Sequence, residues 1–132
     1  MEHKVITVNT VERTQFMDIT AEAEAFVSES GARDGVLHIY SRHTTAGIVI
    51  NENESRLLRD MEGMLDKLIP RGAGYEHDRI DDNAHSHLRA LLCGESKSVP
   101  IVDGKLQLGT WQRIFLVEFD GPRRREVLLV TA

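Results

Sequence analysis

The chain has 132 residues, a length typical of one domain, since domains usually run to about 100–200 residues. Hydrophobic residues make up 41% and charged residues 28% of the chain, which excludes a disordered, collagen-like or coiled-coil protein, and no apolar run approaches the roughly 18 residues of a membrane span. The net charge of −5 argues against nucleic acid as a partner. A single cysteine, Cys93, cannot form an internal disulfide, which indicates a reducing, cytoplasmic setting. We expect one domain over residues 1–132.

The first half of the chain is predicted to contain four strands and two helices. Runs of β-branched and other apolar residues predict strands at residues 4–9, 14–19, 35–40 and 46–50. The short link between the first two indicates a hairpin. A helix over residues 21–30 is expected, with Thr20 as its cap and Gly31 at its end, and a longer helix over residues 53–69 carries an apolar stripe suited to packing on a sheet.

The second half begins with a polar loop and ends in strands. A short helix is predicted at about residues 83–93, with Asp81 or Asp82 as its cap and Gly94 at its end. Asp103-Gly104 predicts a hairpin between strands at 98–102 and 105–108, and Asp120-Gly-Pro122 a turn between strands at 111–119 and 125–130. We therefore expect an antiparallel meander here, with Trp111 in the core. The whole pattern predicts an α+β fold, with an antiparallel sheet or partial barrel and covering helices.

Three of the six histidines fall within residues 77–87, among several aspartates. Imidazoles beside carboxylates are the groups that a divalent metal site needs. On a helix His85 and His87 point in nearly opposite directions, whereas Asn83 and His87 share a face that His77 can reach from the preceding loop. A metal site at His77 and His87 is therefore predicted. Zinc and magnesium both stay open, and surface decoration is the alternative for any single histidine.

A second polar run, residues 41–47, follows a predicted strand. His43 would project from this rigid support, Thr44 offers a hydroxyl and a backbone N–H, and Gly47 permits close approach of a ligand. The pattern suits a phosphate or carboxylate, and a plain hydroxyl-rich turn is the alternative.

A third run, residues 118–125, ends in three consecutive arginines. Guanidinium forks match phosphate oxygens, so an anion site that includes Arg123 is predicted. The alternative is a solvated hairpin in which neighbouring carboxylates pair with the arginines.

The order of these motifs is similar to that of a known family. They are His43-Thr-Thr-Ala-Gly47 with Asn51-Glu52, Tyr75-x-His77 with Asn83-x-x-x-His87, Val99-Pro-Ile101, Gly109-x-Trp111-Gln112 and Glu118-x-Asp120-Gly-Pro-Arg123. Over about residues 4–130 the chain resembles the YjbQ family, also called uncharacterised protein family 0047 or "secondary thiamine-phosphate synthase". The resemblance implies an α+β fold of partial-barrel type, a homotrimer, and a cleft at a subunit boundary where the motif histidines gather.

The polar runs and the resemblance together predict roles for individual residues. His43, His77 and His87 would be metal or catalytic ligands, with zinc or magnesium as the ion. Asn83 and Thr44 would orient the reacting groups, and Arg123 would contact a phosphate.

The implied substrate is a phosphorylated small molecule. The implied reaction joins a hydroxymethylpyrimidine diphosphate to a thiazole phosphate and releases pyrophosphate. Two alternatives stay open: a metal-dependent hydrolase of a phosphorylated small molecule, and a non-enzymatic trimer that binds a small molecule or anion.

Overall fold

A computed structural model describes all 132 residues of the chain. The elements follow one another as β1 (Glu2–Asn9), β2 (Gln15–Asp18), α1 (Thr20–Ser30), β3 (Gly35–Ser41), β4 (Ala46–Asn51), α2 (Ser55–Leu68), a short 3₁₀ helix (Glu76–Arg79), α3 (Ala84–Cys93), β5 (Ser96–Val102), β6 (Lys105–Leu106), β7 (Arg113–Glu118) and β8 (Arg124–Thr131). None of the helices has the length and hydropathy needed to cross a membrane.

The strands form two antiparallel sheets. One has the order β1-β8-β3-β5-β6 and the other the order β2-β7-β4. The predicted α+β fold is confirmed, and one of the sheets is curled into a half-barrel. The predicted hairpin at Asp103-Gly104 is also confirmed, because β5 and β6 pair there.

Strand β7 is buried on both faces because a hydrophobic core lies on each side of it. Ile114 and Leu116 point into the main core, which the two sheets form with α1. Phe115 and Val117 point to the opposite side, into a smaller core that Leu65 of α2 helps to form. Alternation with a period of two thus places successive side chains of one strand in two different cores.

Two of the predicted strand connections are wrong. Strand β1 pairs with β8 from Glu2↔Thr131 to Asn9↔Arg124, and β2 pairs with β7, so no β1–β2 hairpin forms. Strands β7 and β8 lie in different sheets, so the predicted meander ends before them. The turn between them carries the chain from one sheet to the other. A turn motif specifies a local change of direction, whereas the sheet that a strand joins depends on which core its apolar face completes.

The predicted caps of two helices are also wrong. The Thr20 hydroxyl does not cap α1, because it accepts the backbone N–H of Ile114 at 2.8 Å. Neither Asp81 nor Asp82 caps α3, whose first amide is bound by Oδ1 of Asp78 at 3.0 Å. The Thr20 hydroxyl and the Ala84 amide thus bond with groups that the tertiary structure brings close, and not with the partners that the local sequence predicts. The predicted ends at Gly31 and Gly94 are confirmed.

Helix α2 packs less completely than its apolar stripe predicts. Glu54 caps it by accepting the N–H of Leu57 at 2.7 Å. Within the helix only Leu65 is buried, while Met64 and Leu68 are 49% and 63% exposed. Part of the apolar face of α2 therefore remains uncovered in the single chain.

The apolar character of Trp111 predicts a core position, and this prediction is wrong, because the residue is 71% exposed. Strand β7 begins only at Arg113, so Trp111 lies in the turn before it, outside both cores.

Candidate functional site

A polar cleft lies where two loops meet the first turns of α3. One loop follows β3 and the other is the turn between β7 and β8. The cleft has a volume of ≈ 330 Å³ and no hydrophobic lining; its lining residues are Arg42, His43, Thr44, Thr45, Asn83, His87, Asp120, Arg123 and Arg125. Five of the six residues predicted for the site therefore line it, and the sixth, His77, lies against His87 with ring centroids 4.9 Å apart.

The His43 ring is held in one tautomer by the backbone. Its Nε2 accepts the N–H of Glu126 at 2.9 Å. Because a backbone amide can only donate, Nε2 carries no proton and the proton of the neutral ring is on Nδ1. Burial and the nearby Arg125 guanidinium lower the pKa of His43, so the neutral form prevails at pH 7. His43 lines the cleft, and the one N–H of its neutral ring is at Nδ1.

Asn83 connects the histidines to the β7–β8 turn. Its Nδ2 donates to Oδ2 of Asp120 at 2.9 Å, and its Oδ1 lies 3.1 Å from Nε2 of His77. Since the carboxylate can only accept, the orientation of the amide is determined, and His77 must donate from Nε2. The arrangement leaves Nδ1 of His77 without a proton in the neutral ring. Asn83 thus orients His77 through two linked hydrogen bonds.

The three predicted metal ligands do not form a three-ligand set in this chain. The His77 and His87 rings meet edge to face, but both nitrogens of His43 are committed, Nε2 to an amide and Nδ1 to its proton. No group of three or more histidine, cysteine, aspartate or glutamate side chains is arranged to hold a metal ion. The residues of the single chain therefore do not fit a complete zinc site, which takes three or four protein ligands.

The cleft carries an excess of positive charge. Arg123 donates from Nη2 to Oδ2 of Asp120 at 3.0 Å and remains half exposed. Arg42 is exposed at the rim. Burial opposes ionisation of Asp120, but hydrogen bonds from Asn83 and Arg123 outweigh it and hold the pKa of that carboxyl below its usual value. The arginines thus outnumber the carboxylates, as anion binding requires.

An apolar cleft continues from the polar one. Its volume is ≈ 320 Å³, and His43, Thr44 and His87 belong to both. Beyond these three, its wall consists of Ala46, Ala90, Leu91 and Glu95. A ligand that spans both parts would place a charged group beside the arginines and an uncharged ring beside α3, with the histidines at the junction.

A buried ion pair forms part of the wall of the polar cleft, because one of its members, Arg125, lines that cleft. Glu118 is fully buried and Arg125 is 4% exposed. Arg125 donates from Nε to Oε1 of Glu118 at 2.8 Å and from Nη2 to Oε2, and also from Nη2 to the Thr45 hydroxyl at 2.7 Å. Burial opposes ionisation of Glu118, but the bonds from Arg125, the Asp120 amide and the Thr10 hydroxyl keep its pKa below the usual value.

Sequence reasoning missed several of the lining residues. Arg42 lies in a polar run and Arg125 in a run of charged residues, both typical of solvated surface, and only the fold separates the exposed Arg42 from the buried Arg125. Ala90 and Leu91, in the wall of the apolar cleft, were not among the predicted site residues. His85, which the helix geometry had separated from His87, is 2% exposed and lies outside the cleft lining.

Comparison with known proteins identifies relatives over nearly the full chain. The family described as "UPF0047 protein YjbQ-like" matches residues 4–132. A UPF0047 protein of Methanothermobacter thermautotrophicus is 48% identical over 96% of this chain and 89% of its own, and the UPF0047 protein YugU of Bacillus subtilis is 40% identical over 92% of each chain.

Solved structures show the same fold. A hypothetical protein from Aeropyrum pernix K1 superimposes with a TM-score of 0.97 at 42% identity, covering 100% of this chain and 98% of its own. A YbjQ-like protein of unknown function from Sulfolobus solfataricus P2 also gives a TM-score of 0.97, at 39% identity, covering 98% of this chain and 95% of its own.

Proposed function

Because the chain belongs to the UPF0047 YjbQ-like family, whose function is unknown, we propose its activity from the cleft itself: a cytosolic enzyme that acts on a phosphorylated small molecule. The observation that carries the proposal is the junction of a polar, arginine-lined cleft with an apolar one at His43, Thr44 and His87. A phosphorylated ring compound has the same division into a charged and an uncharged end.

The named candidate reaction is thiamine-phosphate formation. The C–O bond between the hydroxymethylpyrimidine and its diphosphate breaks, pyrophosphate leaves with the electron pair, and the thiazole nitrogen forms the new C–N bond. Negative charge develops on the departing oxygen, so donors aimed at that atom stabilise the transition state.

Residues of this chain have defined parts in that reaction. Arg123 and Arg42 bind the diphosphate, and the Nδ1–H of His43 donates to the oxygen that leaves. Thr44 contributes a hydroxyl at the junction of the two clefts, and Asn83 keeps His77 in its donating tautomer. His87, at the junction, contacts the ring being transferred. None of these roles requires a charged histidine.

The test is product analysis with both substrates. Purified protein is incubated with hydroxymethylpyrimidine diphosphate and thiazole phosphate, and thiamine phosphate and pyrophosphate are measured by mass spectrometry. We expect equimolar products that require both substrates. The His43→Ala variant should lose most of the rate, whereas His43→Asn, whose amide N–H can replace Nδ1–H, should retain more of it. Equal rates for both variants and the parent would contradict the role of His43.

Two other functions give different results in the same experiment. A hydrolase would release phosphate or pyrophosphate from the diphosphate substrate alone. A non-enzymatic binding protein would be stabilised thermally by the anion and consume neither substrate. The cleft's excess of arginines favours the binding protein as the second candidate, since anion binding needs no further residue.

Dependence on zinc or magnesium is proposed from the histidines and carboxylates of residues 77–87 and from the family resemblance. Of the three predicted histidine ligands, His43 is bonded to the Glu126 amide, which leaves His77 and His87, so water, substrate phosphate or a second subunit would have to complete the coordination. Elemental analysis of untagged protein tests the proposal. Near-stoichiometric metal that is lost in a His77→Ala, His87→Ala double variant would support it, and no metal after addition of zinc and magnesium would refute it.

A homotrimer is likewise a proposal from the resemblance. Exposed apolar side chains on two helices support a subunit contact, namely Met64 and Leu68 of α2 and Leu91 and Leu92 of α3. Analytical ultracentrifugation measures the mass directly. A monomer at micromolar concentration would contradict the trimer.

A further inference from the structure

The buried pair Glu118–Arg125 joins the two loops that form the polar cleft. On one side, Nη2 of Arg125 donates to the Thr45 hydroxyl at 2.7 Å and to the Thr45 carbonyl at 3.2 Å. On the other, Oε2 of Glu118 accepts the backbone N–H of Asp120 at 2.9 Å. The pair thus bonds to the residue that ends the His43 loop and to the first residue of the turn that carries Arg123.

The β7–β8 turn is also packed tightly onto this pair. A Cβ added to Gly121 would lie 2.9 Å from Cγ of Glu118 and 3.0 Å from Oγ1 of Thr10. The Thr10 hydroxyl in turn donates to Oε1 of Glu118 at 2.8 Å and accepts the N–H of Arg123 at 2.9 Å. The main chain of the turn is therefore in direct contact with the buried carboxylate.

Stability does not explain why an ion pair is buried here. Removing two charges from water costs about as much free energy as their attraction returns, so apolar residues of similar size often stabilise a fold equally well. A buried pair has another consequence: its hydrogen bonds are directional and fix the groups that make them. Here those groups are the hydroxyl and carbonyl of Thr45 on one binding loop and the backbone amide of Asp120 on the other.

We propose that Glu118 and Arg125 are positioning residues, which hold the His43 loop and the Asp120–Arg123 turn at the separation that lets both contact one anion. The inference rests on the proposed function for the identity of the anion as a phosphate or diphosphate. It goes beyond that function because it assigns a role to Glu118, which is fully buried, and to Arg125, which lines the cleft but is bonded to Glu118 and Thr45.

Substitution of Glu118 separates positioning from simple attraction. Glu118→Gln removes a negative charge behind the cleft and leaves Arg125 unneutralised. If attraction alone controlled binding, this variant would bind an anion more tightly than the parent. If positioning controls binding, it binds more weakly, because the amide cannot accept from Arg125 through both of its terminal atoms. The two explanations thus predict changes of opposite sign in the Kd for the anion.

Thr45 provides a second variant that leaves the ion pair in place. Thr45→Val removes the hydroxyl that Arg125 contacts, and Thr45→Ser restores it. The matched control for Glu118→Gln is Asp18→Asn. Asp18 also accepts from an arginine, Arg113, at 2.8 Å and from a backbone amide, but it lines neither cleft.

The experiment measures the Kd of inorganic pyrophosphate by calorimetry on the full chain, together with the amide NMR signals of Glu126 and Asp120. We expect the Kd to rise at least tenfold in Glu118→Gln and at least threefold in Thr45→Val. It should stay within twofold of the parent in Thr45→Ser and Asp18→Asn. Binding by Glu118→Gln that equals or exceeds that of the parent would overturn the proposal.

The NMR signals keep the proposal testable if pyrophosphate does not bind the parent. That result would count against the proposed function and not against positioning. The Glu126 amide, which donates to His43, should then still shift in Thr45→Val and not in Asp18→Asn. An unchanged Glu126 signal in Thr45→Val would overturn the positioning role independently of any ligand.

Discussion

Gly47 is a position where one methyl group should disturb both stability and the cleft. It lies in β4 directly beneath the end of α3. A Cβ added there would be 2.9 Å from Cβ of Cys93 and 3.1 Å from the carbonyl oxygen of Gly94. Both contacts are to atoms that cannot rotate away, so Gly47→Ala must push α3 from the sheet.

The cost follows from the kind of strain involved. Overpacking a tightly packed site typically costs about 1–3 kcal/mol. With an unfolding entropy of about 2.1 cal/mol/K per residue, a chain of this length loses roughly 4–11 °C of Tm. Because α3 carries His87, Ala90 and Leu91, its displacement should also weaken pyrophosphate binding.

Thermal unfolding of Gly47→Ala measures the effect, and Gly63→Ala is the matched control. Gly63 lies within α2, where an added Cβ meets nothing within 4 Å. There alanine improves helix propensity, and the Tm should rise by an amount corresponding to about 0.5–1 kcal/mol. The two identical substitutions should thus move the Tm in opposite directions. A Gly47→Ala protein as stable as the parent would refute the packing argument.

Three further predictions concern charge and pH. Arg123→Ala should raise the Kd of pyrophosphate at least tenfold, because hydrogen bonds to charged groups contribute about 1.5–3 kcal/mol. In the same titration the control Arg33→Ala, which removes an exposed ion pair with Asp103, should leave the Kd unchanged. Burial opposes ionisation of Asp18, but hydrogen bonds, chiefly from Arg113, outweigh it and lower the pKa from 3.8 to about 2. The ionised carboxylate therefore stabilises the fold above pH 3.8, and this contribution is lost as the pH falls through about 2. In urea unfolding, Asp18→Asn should make the free energy of unfolding less dependent on pH over that interval, and a slope like that of the parent would contradict this. Burial and the charge of Arg89 lower the pKa of His85 below 6.5. As the pH drops below that value the unfolded chain takes up the proton first, so the stability of the fold falls. His85→Leu should therefore reduce the difference in unfolding midpoint between pH 7.5 and 5.5, and an unchanged difference would exclude His85 as its source.

Local chemistry predicted where α1 and α3 end, but neither the caps at their starts nor the pairing of the strands. Gly31 ends α1 with φ +72°, and Asp103-Gly104 forms the expected turn, because each depends on the backbone preferences of one or two residues. The pairing of β1 with β8 depends on residues more than a hundred positions away, so no turn motif near β1 could indicate it.

The sequence could predict only those parts of the candidate site whose residues lie on the same helix or strand. Asn83 and His87 share a helix face, and the spacing alone placed them together. The acceptor state of His43 could not be predicted, because it depends on an amide of β8, in a strand far along the chain. Trp111 was assigned to the core from its apolar character, which contains no information on where β7 begins.

The place of β8 in the larger sheet has a consequence for synthesis of the protein. This strand lies between β1 and β3, yet the ribosome completes it after both of them. Until then β1 and β3 have no common partner, and their apolar faces remain open to chaperones or to other nascent chains. Formation of the sheet must therefore follow translation of β8, and the many long-range contacts of this topology should make that step slow compared with helix formation.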